Sequence, residues 1–304
     1  MNRTLDSFRI ETDAAIPTSF GVGGLADRLA HPTTAEDLRA CFAAEPNLRV
    51  LGQGANLLVD DAGVAELVVA LDDDVWKQVS IDAKTGQVRA GAGADLPKLI
   101  HATIRAGLTG LEGLIGIPAT VGGAVVMNAG GSFGQIADAV SRVVAVNRDG
   151  DIIDTPRSQI GYAYRRSGLF DRIVTEVGFT LEPGDPELAR QRLKQAMAIK
   201  AQTQPLTAKT CGCVFRNPVL KEPIEGVGQA NQRVSAGKLI DLADGKQLAI
   251  GQCHVSDRHA NFIETAPGAS ASDILRLIDA IKSRVLDRFG VALETEVVIW
   301  RRTP

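Results

Sequence analysis

Apolar positions along the chain change period several times, and each change predicts an element. In "SASDILRLIDAIKSRVLDRFG", Ile274, Leu277, Ile278, Ile281, Val285 and Phe289 recur at helical spacing and form one stripe. Ser270 or Ser272 can cap that helix, and Gly290 stops it. "LPKLIHATIRAGLTG" has the same spacing, with Gly107 placed just past the helix end. Short apolar runs predict strands instead: "LRVL" ahead of "GQGANLLVDD", then "AELVVAL" and "DIIDTP". "VALETEVVIW" alternates as a strand and sets Glu294 and Glu296 on one face. Strands and helical stretches alternate to about residue 185, where Pro183, Gly184 and Pro186 in "LEPGDPELARQRL" break the pattern and mark a domain boundary.

Composition narrows the class. The 304 residues are 45% hydrophobic and 23% charged, which is ordinary for a globular chain with a real core. A net charge of −3, with no Lys/Arg run and no basic stripe between aromatics, offers no field for nucleic acid. No apolar run reaches membrane-spanning length, and the first fifteen residues lack the apolar core of a secretory leader. Cys41, Cys211, Cys213 and Cys253 are too few for a disulfide scaffold. The expectation is a reduced, cytoplasmic chain with no nucleic-acid, membrane or obligatory protein partner.

Three glycine clusters carry the first chemical signal: "FGVGGLAD" (20–27), "LGQGANLLV" (51–59) and "GLEGLIGIPATVGGAVVMNAGG" (110–131). None fits GxGxxG behind a strand and none carries GK[ST], so neither a Rossmann unit nor a P-loop is supported. Each alone reads as a turn. Together they say more, because successive N–H groups in such turns form an anion-binding nest. Gly52-Gln53-Gly54-Ala55-Asn56 can hold a pyrophosphate through main-chain donors. The 110–131 stretch, small and low in charge around Asn128, suits a broad apolar cofactor lying against backbone.

"KTCGCVFRNP" places Cys211 and Cys213 around one glycine, as a metal clip, a redox pair or a frame for one reactive thiol. A structural zinc site wants tetrahedral ligation, usually from C-x-x-C-type spacings, and Cys211-x-Cys213 with the distant Cys253 and His254 does not resemble one. No metal is expected. The C-x-x-C redox motif is absent as well.

"TSFGVGGLAD", "LGQGANLLVDD", "GLEGLIGIPATVGGAVVMNAGGSFGQIADAV", "YAYRRSGLF", "GCVFRNP", "SAGKLID…IGQCHVSDRHANFI" and "FGVALETEVVIW" resemble, in order, the motif series of the UDP-N-acetylenolpyruvoylglucosamine reductase family. The resemblance runs from about residue 18 to 300, and the short spacing from "YRRS" to "GCVF" is similar to the subclass without an extra substrate-covering loop. It implies an α+β fold. A two-subdomain FAD-binding fold of the vanillyl-alcohol-oxidase/PCMH type would occupy 1–185, split at about 72/73, and an α+β substrate domain 186–304. It also implies non-covalent FAD against Gly52, Gln53, Gly54, Ala55, Asn56, Leu57, Gly116, Ile117, Pro118, Gly122, Gly123, Ala124 and Asn128. Ala55 stands where the family commonly has serine, Ala119 where glycine is frequent, and "LADGKQLAIG" is atypical.

The reaction so implied reduces the enolpyruvyl ether of a UDP-sugar, with NADPH as co-substrate. It needs positive charge on a developing enolate and a proton for the α-carbon. By the resemblance Arg165 meets the substrate carboxylate, to which a guanidinium offers a fork of donors. Glu296 shares in stabilising the enol form, for which burial must raise its pKa. Cys213 stands where the family usually has the proton-donating serine, and a thiol gives up its proton more readily than an alkanol. Cys211 reads as a small buried hydrophobe, and Glu294 and Arg166 as surface charges. Tyr164, Asn217 and Lys200 complete the expected substrate contacts, while His259 in "HANF" carries no assigned role. Two other readings stay open: a flavin-dependent oxidase of the same superfamily, and a non-enzymatic flavin-binding protein that has lost the serine.

Overall fold

The apolar runs form strands where they were expected. In the computed structural model, which describes residues 4–302, they give Arg49–Leu51, Val68–Ala70 and Ile152–Pro156. Met1, Asn2 and Arg3 of the segment searched for a leader, and Thr303 and Pro304 of the expected substrate domain, lie outside the described residues. The chain divides into two units. One takes the residues up to Ala14 with Ala26–Gln53 and Ala65–Lys200; the other takes Ala15–Leu25, Gly54–Val64 and the chain from Ala201 onward.

The first unit is built on two sheets. One runs in the order Arg9–Ala15, Leu25–His31, Val68–Ala70, Arg49–Leu51, and its last three strands are parallel. The other is antiparallel, in the order Ile152–Pro156, Val140–Asn147, Arg172–Thr180, Gln87–Gly91, Val79–Asp82. A single apolar core, including Val69, Val88, Val143 and Val177, joins both sheets across the division expected at 72/73. The helix Leu96–Arg105 buries Leu96, Leu99, Ile100 and Ile104, and Gly107 follows its C-cap as expected.

The boundary expected at 185/186 falls at 200/201 instead. The helix Pro186–Thr203 buries Ala189 and Ala196 in the core of the first unit, with Leu193 and Met197 packed against it. The proline-glycine break before it marks a turn, not a change of core.

The second unit packs the helix Ala271–Phe289 against the strands Ala249–Ile250, Cys253–Val255 and Ile263–Thr265. Ser270 is its cap, accepting from the Asp273 N–H at 3.0 Å, while the Ser272 hydroxyl goes to Asp61. Asp61 also accepts the Ala271 and Ser272 N–H groups, each at 2.8 Å. The two early segments are structural parts of this unit: Phe20 is fully buried in its core, and Leu57–Val59 pairs in parallel with Val298–Trp300. The continuous strand expected from "VALETEVVIW" is therefore broken. Only Val298–Trp300 is regular, because both Glu296 and Val297 turn their N–H groups to the Val214 carbonyl and slip the register. Among the described residues no helix is long and apolar enough to cross a membrane.

Candidate active site

In the first unit, the glycine turn behind Arg49–Leu51 is fixed by side chains. Gln53 donates from Nε2 to Asp95 at 2.9 Å, and Asp95 caps the helix Leu96–Arg105 through the Lys98 N–H. Thr120 caps the short helix Val121–Val126, and a Cβ on Gly52 would lie 3.0 Å from the Thr120 Oγ1. Of the residues expected to meet a cofactor, Gly116, Pro118 and Gly123 are exposed and Ile117 half-buried. A side chain at Gly123 would meet only its own cap hydroxyl before reaching open space. Backbone is thus presented outward along an apolar stretch, and these residues fit a flat, largely apolar group such as a flavin.

Three expected cofactor contacts face inward. Ala124 is 1% exposed, and Gly122 packs so closely on Ala92 that a Cβ would come within 2.8 Å of the alanine methyl. Asn128, also buried, spends its amide inside the protein: Nδ2 donates to Gln135 at 3.0 Å and to the Ala163 carbonyl at 2.9 Å, and Oδ1 accepts from Ala137. Its side chain ties Gln135 and Ala137 to the segment bearing Arg165. Low charge and small residues read alike whether they face a ligand or a core.

Arg165 stands at the tip of a tight hairpin closed by reciprocal hydrogen bonds between Ala163 and Arg166, at 2.9 and 3.1 Å. Its backbone is left-handed, φ +55°. Ser167 anchors the following leg, donating to the Val126 carbonyl at 2.7 Å. The guanidinium donates to the Gly130 carbonyl at 2.6 Å and lies 5.0 Å from the centre of the Tyr164 ring. Lys200, expected at a substrate phosphate, belongs to this unit and donates to the Ile115 carbonyl at 2.5 Å. Burial lowers its pKa. A Cβ on Gly116 would come 2.9 Å from the Met197 sulfur, so Met197 and Lys200 of one helix brace the Ile115–Gly116 turn.

In the second unit, Gly54 has φ +67°, and a Cβ there would collide with the Pro17 carbonyl at 1.8 Å, so only glycine fits. Among the described residues no backbone carbonyl takes the N–H groups of Gly54, Ala55 or Asn56, leaving three adjacent donors for an anion. The Asn56 amide is used elsewhere, donating to the Glu296 carbonyl at 3.2 Å, while the Asn56 carbonyl accepts from Val298 at 3.0 Å. Leu57 is buried in the strand it begins.

Cys213 and Glu296 come together on paired segments. The Glu296 N–H donates to the Val214 carbonyl at 2.7 Å, and the Arg216 N–H to the Glu294 carbonyl at 2.9 Å. Both Cys213 and Glu296 are half-buried; Glu294 is exposed, with Arg216 3.7 Å away. Cys211 lies in the apolar core, and burial, with Cys213 and Glu296 adding to it, holds its thiol well above the usual range. Asn217 uses its Oδ1 to accept from Ala236 at 2.9 Å at the start of the helix Ala236–Leu242, and its carbonyl accepts from Arg233. The sequence reading missed Asn261, which grips this segment from its other side. Its only signal was its place in "HANF". Among the described residues no group of three or more His, Cys, Asp or Glu side chains is arranged to hold a metal.

Residues 204–300 match the family model described as UDP-N-acetylenolpyruvoylglucosamine reductase, C-terminal domain, and residues 26–156 match an FAD binding domain. These matches bear out the expected α+β order of an FAD-binding domain followed by a second domain. A UDP-N-acetylenolpyruvoylglucosamine reductase of Nostoc sp. is 40% identical over 287 residues, 92% of this chain and 82% of the relative. The UDP-N-acetylenolpyruvoylglucosamine reductase 2 of Symbiobacterium thermophilum is 39% identical, covering 94% and 90%. The crystal structure of a UDP-N-acetylenolpyruvylglucosamine reductase from Thermus caldophilus aligns with a TM-score of 0.80 at 38% identity, over 96% of this chain and 99% of that one. With both domain matches in order and such identity along nearly its whole length, the chain belongs to the UDP-N-acetylenolpyruvoylglucosamine reductase family, FAD-dependent oxidoreductases of peptidoglycan precursor synthesis.

Proposed function

We propose that the chain reduces the enolpyruvyl ether of UDP-N-acetylglucosamine enolpyruvate to UDP-N-acetylmuramate, with NADPH as reductant and Cys213 as proton donor. The hydride chemistry would be the cofactor's: FAD, when bound, would supply to the terminal vinyl carbon the hydride that NADPH provides. Gly116, Ile117, Pro118 and Gly123 present the backbone that would hold that cofactor, and the N–H groups of Gly54–Asn56, which no backbone carbonyl takes among the described residues, suit its pyrophosphate.

As hydride adds, the double-bond pair moves onto the α-carbon and its carboxylate. Arg165 pairs with that carboxylate through a planar fork of donors, and its anchored hairpin keeps it from reorganising as charge grows. Glu296, in its acid form, donates a hydrogen bond to the enol oxygen. The Cys213 thiol then transfers its proton to the α-carbon, and the thiolate recovers a proton from water. The observation that carries this reading is the pairing of the Cys213 and Glu296 segments while Cys211 stays in the core.

Anaerobic stopped flow of the FAD-loaded protein tests it. Cys213→Ala should leave reduction by NADPH nearly intact and slow reoxidation by the enolpyruvyl substrate on the order of 10²–10⁴-fold. Cys213→Ser should restore much of that loss. Equal losses in both half-reactions would make Cys213 structural, and no loss in either would end its role as the acid. Wild-type reoxidation by O₂ alone, untouched by substrate, would return the oxidase reading.

A further inference from the structure

We propose that Asn261 is the positioning residue that aims Cys213, and that His259 holds Asn261 in place; this rests on Cys213 being the proton donor. In a regular strand the N–H and C=O of one residue point to the same neighbour. At Val214, the residue after Cys213, they do not. Its carbonyl accepts from Glu296 at 2.7 Å, whereas its N–H donates to the Asn261 carbonyl at 2.8 Å. On the other side of Cys213, Gly212 has φ +83°. The thiol therefore sits between two irregular residues, and its direction is set by whatever holds them.

Asn261 holds the second. Beyond its bond to Val214, its side-chain amide reads Phe215 as a neighbouring strand would: Oδ1 accepts the Phe215 N–H at 2.9 Å, and Nδ2 donates to the Phe215 carbonyl at 2.8 Å. Asn261 is 3% exposed and Phe215 1%, so no water competes for these bonds. One residue thus supplies three hydrogen bonds to the two positions after Cys213. The Asn261 N–H donates to His259 Nδ1 at 3.2 Å, which leaves the ring proton on Nε2. The His259 ring packs on Phe262 at 4.8 Å and lies close over Gly237, where a Cβ would meet its Cε1 at 3.0 Å. A chain of fixed groups runs from Gly237 through His259 and Asn261 to the backbone behind Cys213.

A double-mutant cycle on the FAD-loaded protein separates aiming from general support. Asn261→Ser cannot reach both the N–H and the carbonyl of Phe215. We expect reoxidation by enolpyruvyl substrate to slow about 10- to 100-fold, as for a reacting group displaced by a fraction of an ångström, with reduction by NADPH unchanged. In a Cys213→Ala background the same substitution should cost no more than about twofold, and the pH midpoint for alkylation of Cys213 by iodoacetamide should move in Asn261→Ser. His259→Gln carries the same cycle with a milder change and serves if Asn261→Ser does not fold. Equal losses with and without Cys213, or no loss in either background, would overturn the inference. If Cys213→Ala alone leaves reoxidation intact, it is the reading of Cys213 as the acid that fails.

Discussion

Arg165 holds a left-handed backbone that costs a residue with a β-carbon about 1–2 kcal/mol. Such a conformation persists only where the surroundings over-determine it, and here Asn128, Ser167 and the Gly130 carbonyl do so. Arg165→Lys keeps the charge but loses the fork, so substrate-dependent reoxidation should fall about tenfold or more with NADPH reduction intact. Reoxidation as fast as wild type would remove Arg165 from the carboxylate. The two neighbouring thiols should also part company. Burial keeps Cys211 protonated, so iodoacetamide should label Cys213 first, with substrate protecting, and Cys211→Ala should leave both half-reactions unchanged. Peptide mapping that finds Cys211 labelled first would reverse the assignment. His259 adds a pH dependence. Burial, with Lys246 contributing, lowers its pKa, so the unfolded chain binds a proton that the folded chain does not. Its contribution to stability is whole above the unfolded value, about 6.5, and is lost as pH falls from there toward the folded value. The drop in Tm between pH 7.5 and 5 should be smaller in His259→Gln than in wild type; an unchanged drop would clear His259 of it.

At the scale of elements, the helix Pro186–Thr203 matters less for its length than for where it lies. Its interior is polar, and only Ala189 and Ala196 are fully buried, yet Met197 and Lys200 close on the Ile115–Gly116 turn. Lys200→Met should therefore weaken FAD binding by about tenfold, the scale of one hydrogen bond made by a charged group, and leave the Kd of the UDP-sugar substrate unchanged. A weaker hold on the UDP-sugar with unaltered FAD affinity would instead place Lys200 at the substrate phosphate. Gly123→Asp should abolish FAD binding, since it sets a side chain and a negative charge where open backbone is presented. Titration of apoprotein with FAD reads both variants, and acid precipitation should release the flavin from wild type.

For the whole molecule, the second unit is not the C-terminal part of the chain. A fragment of residues 201–304 lacks Phe20 from its core and the strand Leu57–Val59 that pairs with Val298–Trp300, and it leaves the helix start without Asp61. That fragment should stay largely unfolded, as judged by near-ultraviolet circular dichroism and amide-exchange protection. A cooperative thermal transition in it would show that the early segments are dispensable.

What the sequence by itself determined follows from local physics. The helix Ala271–Phe289, its Ser270 cap and its Gly290 stop come from spacing and end chemistry that act within a few residues. The ordered motifs pointed to the family, and with it to Cys213, Arg165 and Glu296, because the order of chemical groups along the chain is itself a sequence property. What only the tertiary structure decided depends on partners far apart in the chain. Asn128, Asn56 and Lys200 look like ligand-facing residues in one dimension, but in the fold each donates to a backbone carbonyl, of Ala163, Glu296 and Ile115 in turn. Asn261 meets Phe215 across 46 positions, a separation to which no local period is sensitive. Residues 15–25 and 54–64 join the second unit because its core lacks an apolar face and a strand that the chain after Ala201 does not contain. A buried hydrogen bond or a completed core selects its partner by proximity in space, and a single chain read in order does not contain that distance.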